Sequence, residues 1–281
     1  MRTILLPFYD DPVAETALEQ ACTIATRFGG HVEGLFVMRP PQIIEAEGIA
    51  LAGAYITQLK EEWRRRADRA KARFSERVAA RGLTEQPLDE AADGATASWR
   101  EVEGPEGQII GDYGRLFDLI VIGRMSEQAL IDWQVMCEAA FFESGRPCLV
   151  AAAQSGATIG ERILIHWNAS TEAAKAIAHG MPFLAAASKV LVVTVEGAVV
   201  PGPSGDQVAT HLRRNGVPAE ARTVTVGAST AGEVILAEAA AMEADLIIKG
   251  AYTQNRLRQL VFGGATRHIL SEATIPVLMA R

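Results

Sequence analysis

Asp118–Gly123 reads DLIVIG and Asp245–Gly250 reads DLIIKG, so the same short apolar run closes on the same glycine 127 residues apart. A brief apolar run bounded by glycine is the pattern of a buried strand in a parallel sheet. Working outward, Pro147–Ala151 (PCLVA) returns as Pro276–Ala280 (PVLMA) at an offset of 129. Upstream, Ile4-Leu5-Leu6 returns as Ile163-Leu164-Ile165 at 159, and Val32–Val37 returns as Val190–Val195 at 158. The chain is an internal duplication. The offset falls by about thirty residues between the second and third strands because the first copy carries a long helical segment, about 43–82. The second copy has only a short one there, about Gly205–Gly216.

Each copy alternates strands with helices, which implies βαβ crossovers and a parallel sheet. Asp10-Asp11-Pro12 starts the first helix, with Asp11 as cap and Pro at the first helical position, and Gly29-Gly30 ends it. The fold class expected is α/β, as two tandem open, mostly parallel five-stranded sheets flanked by helices. The domains are 1–153 and 160–281, joined by the small-residue linker Gln154–Gly160. Pro147–Val150 and Pro276–Met279 would be edge strands, which invite pairing. Within the long helix, LKEEWRRRADRAKARFSERV is densely charged. Glu61, Glu62, Asp68 and Glu76 supply countercharges at helical spacing, so the expectation is a solvated face.

The 281 residues carry a formal charge of −7, which argues against a general nucleic-acid binder. The asymmetry is more telling than the total. Residues 1–153 hold 16 Lys+Arg against 24 Asp+Glu, whereas 154–281 hold 11 against 10. The second copy is the easier place to seat an anion. Cys22, Cys137 and Cys148 have no paired or metal-binding spacing and read as buried thiols of a reducing compartment. No secretory leader opens the chain, and no apolar run nears the roughly 20 residues of a membrane span. The expected location is cytoplasmic.

In open parallel sheets ligands sit beyond the carboxyl ends of the strands. In the second copy those positions are His166–Ser170, Val195–Gly197 and the stretch from Gly250 to Gly264. The last combines a strand, a glycine turn, Arg256 and Arg258 on a polar loop, and a glycine-opened helix, which are the parts of a phosphate cradle. In this arrangement the chain resembles a tandem universal stress protein, two UspA-type domains in one polypeptide. Nucleotide-binding members of that family carry G-x2-G-x9-G-[S/T] after the fourth strand. Here Gly250, Thr253, Gly263 and Gly264 occupy that register, with Thr253 in place of the second Gly and Gly264 in place of Ser/Thr. The family's Asp-Gly-Ser after the first strand reads Asn168-Ala169-Ser170.

The resemblance implies a Rossmann-like, adenine nucleotide alpha hydrolase-like fold packed as an intramolecular pseudo-dimer through the last strands. It implies ATP or another adenine nucleotide, with or without Mg, in the second domain. Asn168 and Gly250 would lie against the ribose, the Asn keeping an acceptor for a ribose hydroxyl. Val195 would offer its backbone to the adenine edge. Thr253, Gly263, Gly264, Ala265 and Thr266 would line the phosphates, and Arg256 and Arg258 could neutralise them. A Cβ at Thr253 is costly if that turn needs φ > 0.

The first copy has drifted further, with Tyr9 at the Asn168 position, Arg124-Met125-Ser126 after Gly123, and Met136-Cys137 where Gly263-Gly264 stand. It is expected to bind no nucleotide and to serve as a structural partner. No dinucleotide, P-loop or nucleophile-elbow motif occurs, and the five His lack metal spacing, so neither a catalytic residue nor a metal is expected. The leading expectation is regulatory nucleotide binding in stress physiology. Two alternatives stay open. One is a nucleotide-independent interaction module docking a protein partner through residues 43–82, and the other is a weak ATPase. Whether two whole chains form a homodimer is left open.

Overall fold

The computed structural model describes residues 1–39, 53–90, 92–124, 133–154, 156–251 and 264–281. In the first half, β1 (Thr3–Pro7), β2 (His31–Met38), β4 (Thr96–Glu103), β5 (Leu119–Ile122) and β6 (Cys148–Val150) alternate with helices. A two-residue strand, β3 (Thr84–Glu85), extends the outer edge. The helices are α1 (Pro12–Phe28), α2 (Gly53–Ala80), α3 (Glu106–Gly114) and α4 (Trp133–Glu138), the last running into a π-helical turn over Ala139–Glu143. In the second half, β7 (Arg162–His166), β8 (Lys189–Val195), β9 (Ala219–Val224), β10 (Leu246–Gly250) and β11 (Val277–Ala280) alternate with α5 (Thr171–Ala185), α6 (Gly205–Arg214), α7 (Ala231–Ala241) and α8 (Gly264–Glu272).

The two expected sheets are one. The strand order is β3-β4-β2-β1-β5-β6-β11-β10-β7-β8-β9, parallel except at the join, where β6 and β11 run antiparallel with Leu149 opposite Leu278. The strands expected at the edges therefore cover one another. In each half the chain steps outward from its first strand, then jumps back across it. The order reverses between β1 and β5 in one half and between β7 and β10 in the other.

The repeated DLI motif has a structural cause at both ends. Asp118 accepts from the backbone N–H groups of Arg2 (2.6 Å) and Thr3 (3.2 Å), and so holds the start of β1. Asp245 accepts from Gly160, Glu161 and Arg162 at 2.9–3.0 Å, and from the Thr158 hydroxyl at 2.8 Å, at the start of β7. The closing glycines admit the first turn of a helix. A methyl on Gly250 would stand 2.6 Å from the Ala173 nitrogen in α5, and one on Gly123 would stand 2.6 Å from Val13 Cγ1 in α1.

Asp11 caps α1 as expected, its Oδ1 accepting from Ala14 N at 2.9 Å, with Pro12 at the start and Gly29 closing the helix at φ 59°. The charged face of the long helix is exposed, as expected, and it also carries ion pairs to the chain around α1. Arg69, Arg73, Arg77 and Arg81 recur every fourth residue and reach Asp10, Glu15 and Glu19, at 2.6 Å for Arg69–Asp10 and 3.0 Å for Arg77–Glu15. This charged stripe pairs with acids just before and within α1, while its arginines stay exposed to water. Within the helix itself, Arg66–Glu62 (2.5 Å) and Arg65–Glu61 (3.9 Å) pair at i,i+4. Beneath the stripe, Ala67, Ala70, Phe74 and Val78 are fully buried. Phe74 packs against Trp99 and Phe8, in space left by Gly34, where a methyl would fall 2.6 Å from its ring. Residues 43–52 of the expected helix lie outside the described residues.

Candidate functional site

The reversal of strand order between β7 and β10 opens a crevice beyond their carboxyl ends. Four segments converge there: the end of β7 with His166-Trp167-Asn168, the end of β8 at Val195, the end of β10 at Lys249-Gly250, and the first turn of α8. Thr253, Arg256, Arg258 and Gly263 lie outside the described residues.

Asn168 and Ser170 form a closed local motif. The Asn168 Oδ1 accepts from the Ser170 hydroxyl at 2.8 Å and from its N–H at 3.3 Å, while Ser170 Oγ accepts from Ala173 N and caps α5. The acceptor expected for a ribose is thus committed to Ser170, and the Asn168 amide N–H2 is the group left to meet a ligand. Between them Ala169 sits at φ 64°, a left-handed conformation that glycine adopts without strain. Val195 is buried, and its carbonyl accepts from Ala198 N at 3.2 Å in a turn through Gly197 (φ 76°). This carbonyl, expected to read adenine, already has one partner. Gly250 is explained by α5, whose backbone occupies the side where a Cβ would stand, so its retention carries no information about a ligand. Gly264 opens α8 and is exposed, and a methyl added there would stand in open space; Ala265 and Thr266 complete that turn half-buried.

The residue without a part in the sequence reading is Lys249. It is 3% exposed, at the end of an otherwise apolar strand, and its ammonium group donates to Gly250 O at 2.7 Å and to Thr266 Oγ1 at 2.9 Å. Among the described residues no carboxylate forms an ion pair with it. Burial lowers its pKa to about 7. His166 is its register partner on β7, so the two side chains are neighbours on one face of the sheet across the switch point. His166 is buried, its Nε2 has no hydrogen-bond partner among the described residues, and burial together with the Lys249 charge lowers its pKa to about 3. A signal was present in the repeat, because Lys249 aligns with Ile122 of DLIVIG.

At the equivalent place in the first half the described side chains are bulky and buried. Tyr9, at the Asn168 position, is 2% exposed and packs on Phe36 with ring centroids 5.2 Å apart. Burial and the neighbouring Glu106 carboxylate hold its hydroxyl pKa far above the ordinary value, and Arg39 pairs with Glu106 at 2.5 Å. Trp133 donates to Gly123 O at 2.9 Å, and Met136 and Cys137 are buried inside α4. The Cys137 thiol is pushed well above its ordinary pKa by burial, so it is not a thiolate.

Residues 161–281 match the model of the Universal stress protein family. This half of the chain is a universal stress protein domain. The whole chain also superposes on solved structures of similar build. A universal stress protein from Archaeoglobus fulgidus DSM 4304 aligns over 99% of this chain and 98% of its own, with a TM-score of 0.68 at 15% identity. A putative universal stress protein from Pseudomonas aeruginosa UCBPP-PA14 aligns over 99% and 92%, at 0.53 and 16%. A functionally unknown protein from Pseudomonas aeruginosa PAO1 aligns over 99% and 92%, at 0.55 and 15%. At these identities the likeness is one of fold, and it extends through the first half, which the family match does not reach. No curated protein matches the chain by sequence. Among the described residues of both halves, no group of three His, Cys, Asp or Glu gathers to hold a metal ion, and no helix is long and apolar enough to cross a membrane.

Proposed function

We propose that the chain is a tandem universal stress protein whose second domain binds an adenine nucleotide as a regulatory ligand, in the cytoplasm, while the first serves as its structural partner. The observation that carries this reading is the placement of Lys249 beneath the first turn of α8, at the switch point of the sheet. A helix N-terminus offers free N–H groups to an anion, and a buried lysine behind it supplies a charge that water does not screen once it is protonated. The first half supports the division of labour, because the bulky, buried Tyr9 stands where the second half has Asn168. Any Mg would arrive on the nucleotide. The role is binding, which stabilises the fold by mass action, rather than turnover.

Purified protein should release an adenine nucleotide on acid extraction, and millimolar ATP should raise the melting temperature of the stripped protein. An empty extract together with no thermal shift would remove the nucleotide from the account. The alternative of a partner docking on residues 43–82 has less support, since one charged stripe of α2 is engaged with α1.

A further inference from the structure

The hydrogen-bond inventory around Lys249 suits a neutral amine. A neutral amine has two N–H groups, and two acceptors are present, Gly250 O and Thr266 Oγ1. An ammonium would bring a third N–H with no partner among the described residues. Among the described residues its neighbours supply no countercharge, and Glu172 of α5 lies against the next residue, Gly250, whose side-chain direction is the opposite one. β7 presents His166, β11 presents Met279 at the same register, and α8 presents Thr266. His268 of α8 lies against Gly232 of α7, where it acts on Glu233. On the same face, His166 Nε2 is a buried polar atom with no partner among the described residues. The site therefore has room in its bonding for one more acceptor, placed between a lysine, a histidine and the N-terminal turn of a helix.

We infer that Lys249 and His166 form a proton-coupled recognition element for a phosphate-type oxyanion at the first turn of α8, so that the anion binds together with a proton taken up by Lys249. This deepens the nucleotide reading and rests on the same crevice. The incoming oxyanion accepts from the third N–H of the new ammonium and supplies the negative charge that its burial lacks. By linkage, binding then depends on pH wherever the free protein holds Lys249 neutral and the complex holds it charged. With the free amine titrating at about 7, affinity is level below neutrality and falls above it by roughly tenfold per pH unit. A terminal phosphate, whose second ionisation lies near 6, is already dianionic there and adds no slope.

Titration calorimetry on the full chain at pH 8, in two buffers of different ionisation enthalpy, reads the proton directly. The probes are ATP, inorganic tripolyphosphate and adenosine. Uptake approaching one proton per ATP or tripolyphosphate, none with adenosine, and a loss of affinity of about tenfold from pH 8 to pH 9 are expected. Lys249→Met should abolish both the uptake and the slope. Uptake with tripolyphosphate but no added affinity for ATP leaves the oxyanion element standing and removes the adenine. ATP binding with no proton uptake in the unmodified protein overturns the element and leaves the nucleotide reading intact. Absence of binding by every probe overturns both. The two-buffer measurement needs no variant, so it decides the matter even if Lys249→Met fails to fold.

Discussion

Arg124, from the loop after β5 in the first half, donates through Nη1 to the carbonyl of Ala273 at the far end of α8, 2.5 Å away. Its other nitrogen, Nη2, reaches the carbonyls of Leu270 and Ser271. These are the carbonyls that a helix leaves without partners at its C-terminus, where a cation also opposes the negative end of the helix dipole. The first half thus holds the helix whose N-terminus forms the candidate site. Arg124→Ala should cost about 1 kcal/mol, since the side chain is partly exposed. It should also speed amide exchange over Ile269–Ala273 without altering exchange in α5. Unchanged exchange in α8 would show that the clamp contributes nothing in solution.

The depressed pKa of Lys249 makes the ligand-free protein pH-dependent in a defined direction. The unfolded chain binds a proton on this lysine up to about 10.5, whereas the folded chain releases it near 7, so the unfolded state holds more protons in that window. Stability should therefore rise from pH 7 towards pH 10, by at most roughly 1.4 kcal/mol per unit from this group. His166 acts in the same sense between about 3 and 6.5. Chemical denaturation across pH 7–9 should show a shallower rise for Lys249→Met than for the unmodified chain. Parallel curves would mean that Lys249 is not titrating in the folded protein.

Ala169 at φ 64° stores backbone strain that a glycine would relieve. Ala169→Gly should stabilise the protein by about 1 kcal/mol, readable as an upward shift of the urea midpoint. Ala169→Val, with a branched Cβ, should move it the other way. A drop in midpoint for the glycine variant would contradict the left-handed conformation at this position.

Gly250→Ala places a methyl 2.6 Å from backbone in α5, whereas Gly123→Ala meets the end of the Val13 side chain at the same distance. A side chain can turn aside and a helix backbone cannot. The first variant should lose about 3 kcal/mol, and the second distinctly less. Equal losses would show that α5 shifts as readily as Val13.

Much of the fold is legible because it rests on local patterns repeated twice: apolar runs, the Asp11-Pro12 start, the Gly29 stop. What is not legible is who meets whom across elements. The arginines at 69, 73, 77 and 81 stand four apart in the sequence, yet their acidic partners lie just before and within α1, and nothing local pairs them with Asp10, Glu15 and Glu19. Gly250 reads as a place for a ligand because glycine admits any close approach; only packing reveals that the approaching group is α5. Asn168 reads as a free acceptor, which its neighbour Ser170 uses. Lys249 is hidden by its strand, although the aligned Ile122 marks it as the position where the copies differ in charge. Two-residue β3 has no signature to read.

The antiparallel seam of β6 and β11 has a genetic consequence. In a twofold dimer of identical chains, every substitution appears on both sides of the joint, so a side chain that closes one crevice closes the other. Here the two sides are encoded separately. Tyr9 can be buried on one side while Lys249 stands on the other, and the sheet between them stays continuous. The two sides of the joint can be altered one residue at a time.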